Sequence, residues 1–192
     1  MITKTEKTTL LGARSGQGTA TFPNGDVYEG TFGTDGKGLR HGPGKYTYAA
    51  PPPAEEDAGE EAPPPVAVYD GGWTVGKKSG VGIMTYADGC KYQGSWSKGQ
   101  RHGIGAFYYP NGDIYTGEWA AGKKNGHGTY IYKETKTRLK GTWEEGKCVS
   151  GEFSDQFGNV YEGKFSSDGA AVGFMPCGKF TLASGAVAPS AA

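Results

Sequence analysis

The chain is 192 residues long with 20 basic and 20 acidic side chains, so its net charge is zero and no global field draws it to nucleic acid or anionic lipid. Its 35 glycines and 11 prolines would suit a low-complexity chain, but 12 Tyr, 8 Phe and 4 Trp recur with them at fixed phase. That favours a thin structure cored by a row of rings over a thick aliphatic domain.

Residues 1–13 are polar and read as an N-terminal cap or tail, with Leu10-Leu11-Gly12 a hint of a capping strand. A repeat array is expected over 14–182. It opens at Ser15-Gly16-Gln-Gly18, turns at Pro23-Asn24-Gly25-Asp26 and returns through Tyr28-Glu-Gly30-Thr-Phe32. Alternation places Tyr28, Gly30 and Phe32 on one face of a strand and Glu29 and Thr31 on the other. Asn-Gly between two such runs is a strong hairpin signal, because both residues tolerate positive φ. After a longer loop the pattern resumes at His41-Gly42-Pro-Gly44-Lys-Tyr46-Thr-Tyr48.

Residues 49–67 break the pattern. Two proline triplets flank five acidic residues with no aromatic side chain, which predicts an exposed, disordered loop and leaves the rest of the chain at net +5.

From residue 69 the period is 23. Tyr69-x-Gly71-x-Trp73, Tyr92-x-Gly94-x-Trp96 and Tyr115-x-Gly117-x-Trp119 are each followed by a Gly-x-Gly, at Gly80/Gly82, Gly103/Gly105 and Gly126/Gly128. A tyrosine stands six residues after the first glycine of each pair, at Tyr86, Tyr109 and Tyr132. Glycines beside an aromatic row let rings lie over bare backbone, which offsets the cost of glycine in a strand. Beyond residue 139 the pattern frays. Leu139 takes the tyrosine slot, Ser150-Gly151-Glu-Phe153 reads as Phe in place of the second glycine, and Phe157 keeps the six-residue spacing. Tyr161-Glu-Gly163-Lys-Phe165 is regular again, Cys177-Gly178-Lys-Phe180 closes the array, and 183–192 read as a tail.

The motif Tyr-x-Gly-x-Trp-x-x-Gly followed by Gly-x-Gly resembles the MORN repeat (membrane occupation and recognition nexus) over about six units. The resemblance implies an all-β fold: an elongated, twisted, single-layer antiparallel sheet of stacked hairpins. It also implies a scaffold, since enzymes of that family carry catalysis in a separate domain. Stand-alone members similar to this chain, such as those of radial spoke heads, imply a structural component of the cytoskeleton, most plausibly of a ciliary or flagellar axoneme.

No catalytic, cofactor-binding or metal-binding constellation is expected. The Gly-x-Gly pairs lack the third glycine of a nucleotide loop, and the three histidines are scattered over two unlike slots, His127 apart from His41 and His102. His41 and His102 share a slot with Ser79, Asn125 and Ser150, where a turn hydrogen bond explains the residue choice. Asp26, Asp88 and Asp113 are expected to stabilise turns. Three distant cysteines, Cys90, Cys148 and Cys177, form neither a zinc spacing nor a disulfide framework, and no apolar run suits a signal peptide or bilayer span. A cytoplasmic setting is therefore expected.

The candidate site is the aromatic face: Tyr69, Trp73, Tyr92, Trp96, Phe107, Tyr109, Tyr115 and Trp119. These rings chiefly form the core, but a single-layer sheet cannot cover both its faces, so a groove should remain for a partner protein's helix or extended segment. Unpaired strand edges would also permit end-to-end self-association. The alternative is a peripheral membrane adaptor that binds phosphoinositides through a basic edge of Lys77, Lys78, Lys98, Arg101, Lys123 and Lys124.

Overall fold

A computed structural model describes residues 15–34, 37–50, 66–167, 172–174 and 178–183. The expected N-terminal cap, nearly all of the acidic loop and the tail beyond residue 183 lie outside the described residues. The fold is all-β, as the repeat pattern predicts. By its internal contacts the chain forms two units, up to Gly99 and from Gln100 onward.

The first unit is an antiparallel meander of six strands: β1 (Gly16–Thr21), β2 (Val27–Phe32), β3 (Arg40–Thr47), β4 (Val68–Thr74), β5 (Lys77–Thr85) and β6 (Lys91–Ser97). The second continues the same construction through β7 (Gln100–Tyr108), β8 (Ile114–Ala120), β9 (Lys123–Tyr132), β10 (Thr137–Glu144), β11 (Lys147–Ser154) and β12 (Val160–Ser167). Two short strands, β13 (Val172–Phe174) and β14 (Lys179–Thr181), pair with opposite ends of β12.

Glycines meet glycines across the strands. Gly18, Gly30, Gly44, Gly71, Gly82 and Gly94 form one cross-strand row in the first unit. Gly105, Gly117, Gly128, Gly141, Gly151 and Gly163 form another in the second. Each tyrosine of the Tyr-x-Gly-x-Trp motif lies back along its own strand over this bare row. Tyr69 donates its hydroxyl to Gly72 O, Tyr92 to Ser95 O and Tyr115 to Glu118 O, all within 3.1 Å. A Cβ on Gly128 would lie 2.3 Å from Tyr115 Oη, so only glycine leaves room for the ring. The tryptophans tie each hairpin to the one before it: the indoles of Trp73, Trp96, Trp119 and Trp143 donate to Gly44 O, Gly82 O, Gly105 O and Gly128 O.

Two kinds of turn alternate. One side carries Asn-Gly turns and their variants; the other carries two-residue turns with both residues at positive φ, such as Val75-Gly76 (48° and 75°) and Lys98-Gly99 (52° and 89°). On leaving these latter turns, β5 and β9 bulge against the preceding strand, and β3 does the same on leaving the longer loop that follows Phe32. Gly71 pairs with Gly82, yet Trp73 already pairs with Lys78, so two extra residues stand on β5, and Gly80 there takes φ 71°.

The bulge corrects the reading of the frayed repeat. In β11 the register slips by one residue rather than two: Gly141 pairs with Gly151 and Leu139 with Phe153. Gly151 is therefore the second, paired glycine, and Phe153 stands in the slot of Tyr130, which pairs with Tyr115. It is the first glycine that is missing. Phe157 is not in the tyrosine slot; it sits 72% exposed in a turn capped by Asp155.

Candidate functional site

The aromatic motif residues are consumed by the core. Tyr69, Trp73, Tyr92, Trp96, Phe107, Tyr115 and Trp119 are all buried, and of the eight expected face residues only Tyr109 keeps intermediate exposure. The rings meet edge to face: Tyr69 and Trp73 at 5.2 Å, Tyr92 and Trp96 at 5.2 Å, Tyr115 and Trp119 at 5.3 Å. What this face presents outward is a second tier at the strand ends, the half-buried Tyr48, Tyr86, Tyr109 and Tyr132. These lean on inner neighbours, as in Phe107–Tyr109 (4.7 Å) and Tyr130–Tyr132 (4.5 Å).

The expected basic edge divides in two. Lys77, Lys98 and Lys123 are exposed at the turns, and Lys123 pairs with Glu145. Lys78, Arg101 and Lys124 instead have the same strand parity as the core rings and fold over them. Lys78 Nζ lies 4.9 Å from the rings of both Tyr69 and Trp96 and 5.3 Å from Tyr48. Lys124 Nζ sits among Tyr109, Tyr115, Tyr130 and Trp143 at 4.7–5.8 Å. The Arg101 guanidinium covers Trp119 at 4.5 Å and Phe107 at 5.2 Å. Arg40 fills the same place in the first unit, 4.3 Å from Trp73 and 4.9 Å from Tyr46, and donates to Gly76 O. These are cation–π contacts in partly desolvated boxes. Burial, helped by the neighbouring Arg40, pulls the Lys78 pKa down to about 8; burial and Arg101 do the same for Lys124. In β11 the equivalent position, opposite Trp143, is Cys148, buried and with its thiol pushed up to about 11 by desolvation.

Two aspartates go beyond turn stabilisation. Asp26 and Asp113 are buried, and each carboxylate reaches into the following hairpin. Asp26 accepts from the Tyr46 hydroxyl and Ala49 N, and Asp113 from the Tyr130 hydroxyl and Lys133 N. Desolvation raises their pKa values, but these hydrogen bonds outweigh it and hold both below the ordinary carboxylate value. The sequence offers a partial signal for this clamp, since an Asn-Gly-Asp turn stands ahead of both Tyr28 and Tyr115. Asp88 acts locally, accepting from Cys90 N. The slot of His41, Ser79, His102, Asn125 and Ser150 makes no side-chain turn hydrogen bond; what its members share is the positive-φ glycine that follows.

The opposite face is polar, with Val81 and Ile104 exposed on it, and in the second unit holds an open groove of about 420 Å³ lined by Thr116, His127, Thr129, Lys140, Glu152 and Glu162 over a glycine floor. Among the described residues no group of three or more His, Cys, Asp and Glu side chains could hold a metal, and no helix is long and apolar enough to cross a membrane.

The MORN repeat family model matches residues 11–27, 36–50, 69–91, 92–114 and 115–134, about half of the chain. The chain belongs to the MORN-repeat family. No curated protein sequence matches it. Among solved structures, the SAS-4 (dCPAP) TCP domain of Drosophila melanogaster, in complex with a proline-rich motif of Ana2 (dSTIL), is 10% identical, with 90% of this chain and 82% of that one covered at a TM-score of 0.49. The wild-type TCP10 domain of Danio rerio CPAP, in complex with a peptide of Danio rerio STIL, is 12% identical, with 92% and 79% covered at a TM-score of 0.26. At these scores neither likeness bears on what the MORN array does.

Proposed function

We propose that this MORN array is a non-enzymatic scaffold that docks partner proteins on its aromatic face within a cytoskeletal assembly, that of a ciliary or flagellar axoneme. The observation that carries the docking role is the second tier of that face, where the half-buried Tyr48 and Tyr109 stand beside the partly desolvated ammonium groups of Lys78 and Lys124. Amphipathic rings next to a partly desolvated charge suit a protein segment with apolar and polar groups alternating along it. The axonemal setting rests on the habit of stand-alone MORN proteins.

The test is detergent-and-salt fractionation of the source cell, followed by amine cross-linking and mass spectrometry. Retention in the detergent-insoluble cytoskeleton, with cross-links from Lys78 and Lys124 to other proteins, supports the proposal. Release by detergent alone, with lipid contact through Lys77, Lys98 and Lys123, would replace it with the membrane-adaptor alternative.

A further inference from the structure

The charge on the aromatic face is one-sided and regularly spaced. In the first unit Arg40 (β3) and Lys78 (β5) stand over equivalent rings, the first over Trp73 and the second over Trp96. In the second unit Arg101 (β7) and Lys124 (β9) stand over Trp119 and Trp143. The carboxylates on this face are spent on hydrogen bonds: the buried Asp26 and Asp113 on tyrosine hydroxyls and backbone N–H groups, and Asp155, in the slot of Tyr132, on Phe157 N, Asn159 N and the Asn159 side chain. Glu29, Asp70, Glu118, Glu152 and Glu162 have the opposite parity and lie on the other face. Among the described residues Lys78 and Lys124 make no ion pair, and Lys78 Nζ contacts the thioether of Met84 at 3.7 Å.

Within each unit the two cations belong to strands separated by one other strand, so equivalent positions are about 9.6 Å apart. A ligand that pairs with both must present carboxylates on one side at that interval. A β-strand does not, since same-side residues recur at about 6.7 Å and 13 Å. A polyproline II segment does: three residues advance about 9.3 Å and complete one turn, which brings every third side chain to the same side. An α-helix comes next, with about 10.5 Å over seven residues. Proline rings also stack on flat aromatic faces of the kind Tyr48 and Tyr109 offer beside Lys78 and Lys124.

We infer that the partner segment taken by the aromatic face is an acidic, proline-rich stretch in polyproline II conformation with a carboxylate at every third residue, paired to Arg40 and Lys78 in one unit and to Arg101 and Lys124 in the other. This rests on the docking role proposed above and names its ligand.

The test is a binding titration of the full chain with synthetic peptides. A Pro-Pro-Glu repeat should bind about ten-fold more tightly than Pro-Pro-Gln, and than Pro-Pro-Pro-Glu, whose carboxylates fall out of register. Its affinity should weaken as salt is raised. Lys78→Met with Lys124→Met keeps the apolar stems over the rings but removes both charges, and should cost about ten-fold in affinity. Thermal melting checks that this variant is folded, and the salt dependence of the unaltered chain stands independently of it. Equal affinity for the three repeats, preference for an Ala-based helix with Glu at every seventh position, capture only by vesicles containing phosphatidylinositol bisphosphate, or no binding would each overturn the inference. Failure of every peptide alongside cross-links from Lys78 and Lys124 to cytoskeletal proteins would leave the docking role standing and remove only this ligand.

Discussion

Replacing Gly128 by Ala adds one methyl group where the fold has no space for it. The backbone there does not need positive φ, so the obstacle is the neighbouring ring: an ideal Cβ falls 2.3 Å from Tyr115 Oη and 2.6 Å from its Cε2 and Cζ. Contact at about 3.5 Å demands that the ring move by roughly 1 Å. Tyr115 is fully buried, packs edge to face against Trp119 (5.3 Å) and Trp143 (5.0 Å), and donates its hydroxyl to Glu118 O. Overpacking of this kind costs about 1–3 kcal/mol, and a lost hydrogen bond that strands a buried polar group about 1–3 kcal/mol more. The sum lowers Tm by roughly 5–20 °C for a chain of this size. Gly99→Ala is the control. Its Cβ meets nothing within 4 Å, and only its φ of +89° penalises the change, by about 1 kcal/mol. Thermal unfolding followed by tryptophan fluorescence should rank the variants wild type, Gly99→Ala, Gly128→Ala. Adding Tyr115→Leu to Gly128→Ala should cost far less than the two changes taken singly, because Leu139 already fills that slot in the next hairpin. Gly128→Ala melting at or above Gly99→Ala, or strict additivity with Tyr115→Leu, would refute the ring-over-glycine account.

Other consequences can be measured in the same way. Asp113→Ala strands the Tyr130 hydroxyl and Lys133 N and should destabilise by about 2 kcal/mol at pH 7. Because the folded Asp113 pKa lies below its ordinary 3.8, its contribution is present above that value and lost as pH falls below it, so the gap between wild type and variant should narrow toward pH 3. A constant gap in Tm from pH 7 to pH 3 would count against the clamp. Val75 is a β-branched residue held at φ 48° in a two-residue turn and 60% exposed, so Val75→Asn should stabilise by about 1 kcal/mol, read as a higher urea midpoint; an unchanged midpoint would contradict this. Lys78 and Lys124 hold fewer protons in the folded chain than in the unfolded one between about 8 and the ordinary 10.5. Wild-type stability should therefore climb with pH through that window relative to the chain with Met at both positions, and equal pH profiles would show that the ring contacts cancel the cost of burial. Above the ordinary tyrosine pKa of 10 both chains should lose stability as pH rises, since desolvation raises the folded pKa values of Tyr69 and Tyr115 and unfolding then releases protons.

The basic residues show where sequence reading fell short. Lys78 has the same strand parity as Gly82 and Met84, and Lys124 as Gly128 and Tyr130, so strict alternation already places both on the ring face. Read by recurrence along the chain, they join Lys77 and Lys123 as one edge; read by parity, they part. The frayed repeat shows a different limit. With one residue fewer in the bulge of β11, counting from Gly151 misassigns Phe153 and Phe157, and only the pairing of Gly151 with Gly141 restores the frame.

What the sequence determined by itself is whatever repeats within a hairpin: the 23-residue period, the Asn-Gly turns, the face that each Tyr, Gly and Trp occupies, and the need for glycine beneath a ring. These follow from contacts a few residues apart and from a side-chain period of two, both written directly in residue order. The tertiary structure alone decided what depends on reach between hairpins. It set which carboxylates are spent as clamps on a tyrosine 17 or 20 residues away, and it drew Arg40 onto a tryptophan beyond the acidic loop. It also determined that the inner rings are wholly covered while the outer tyrosines are not. Long side chains and bulged strands settle these matters through geometry in three dimensions, for which the order of residues has no period to display.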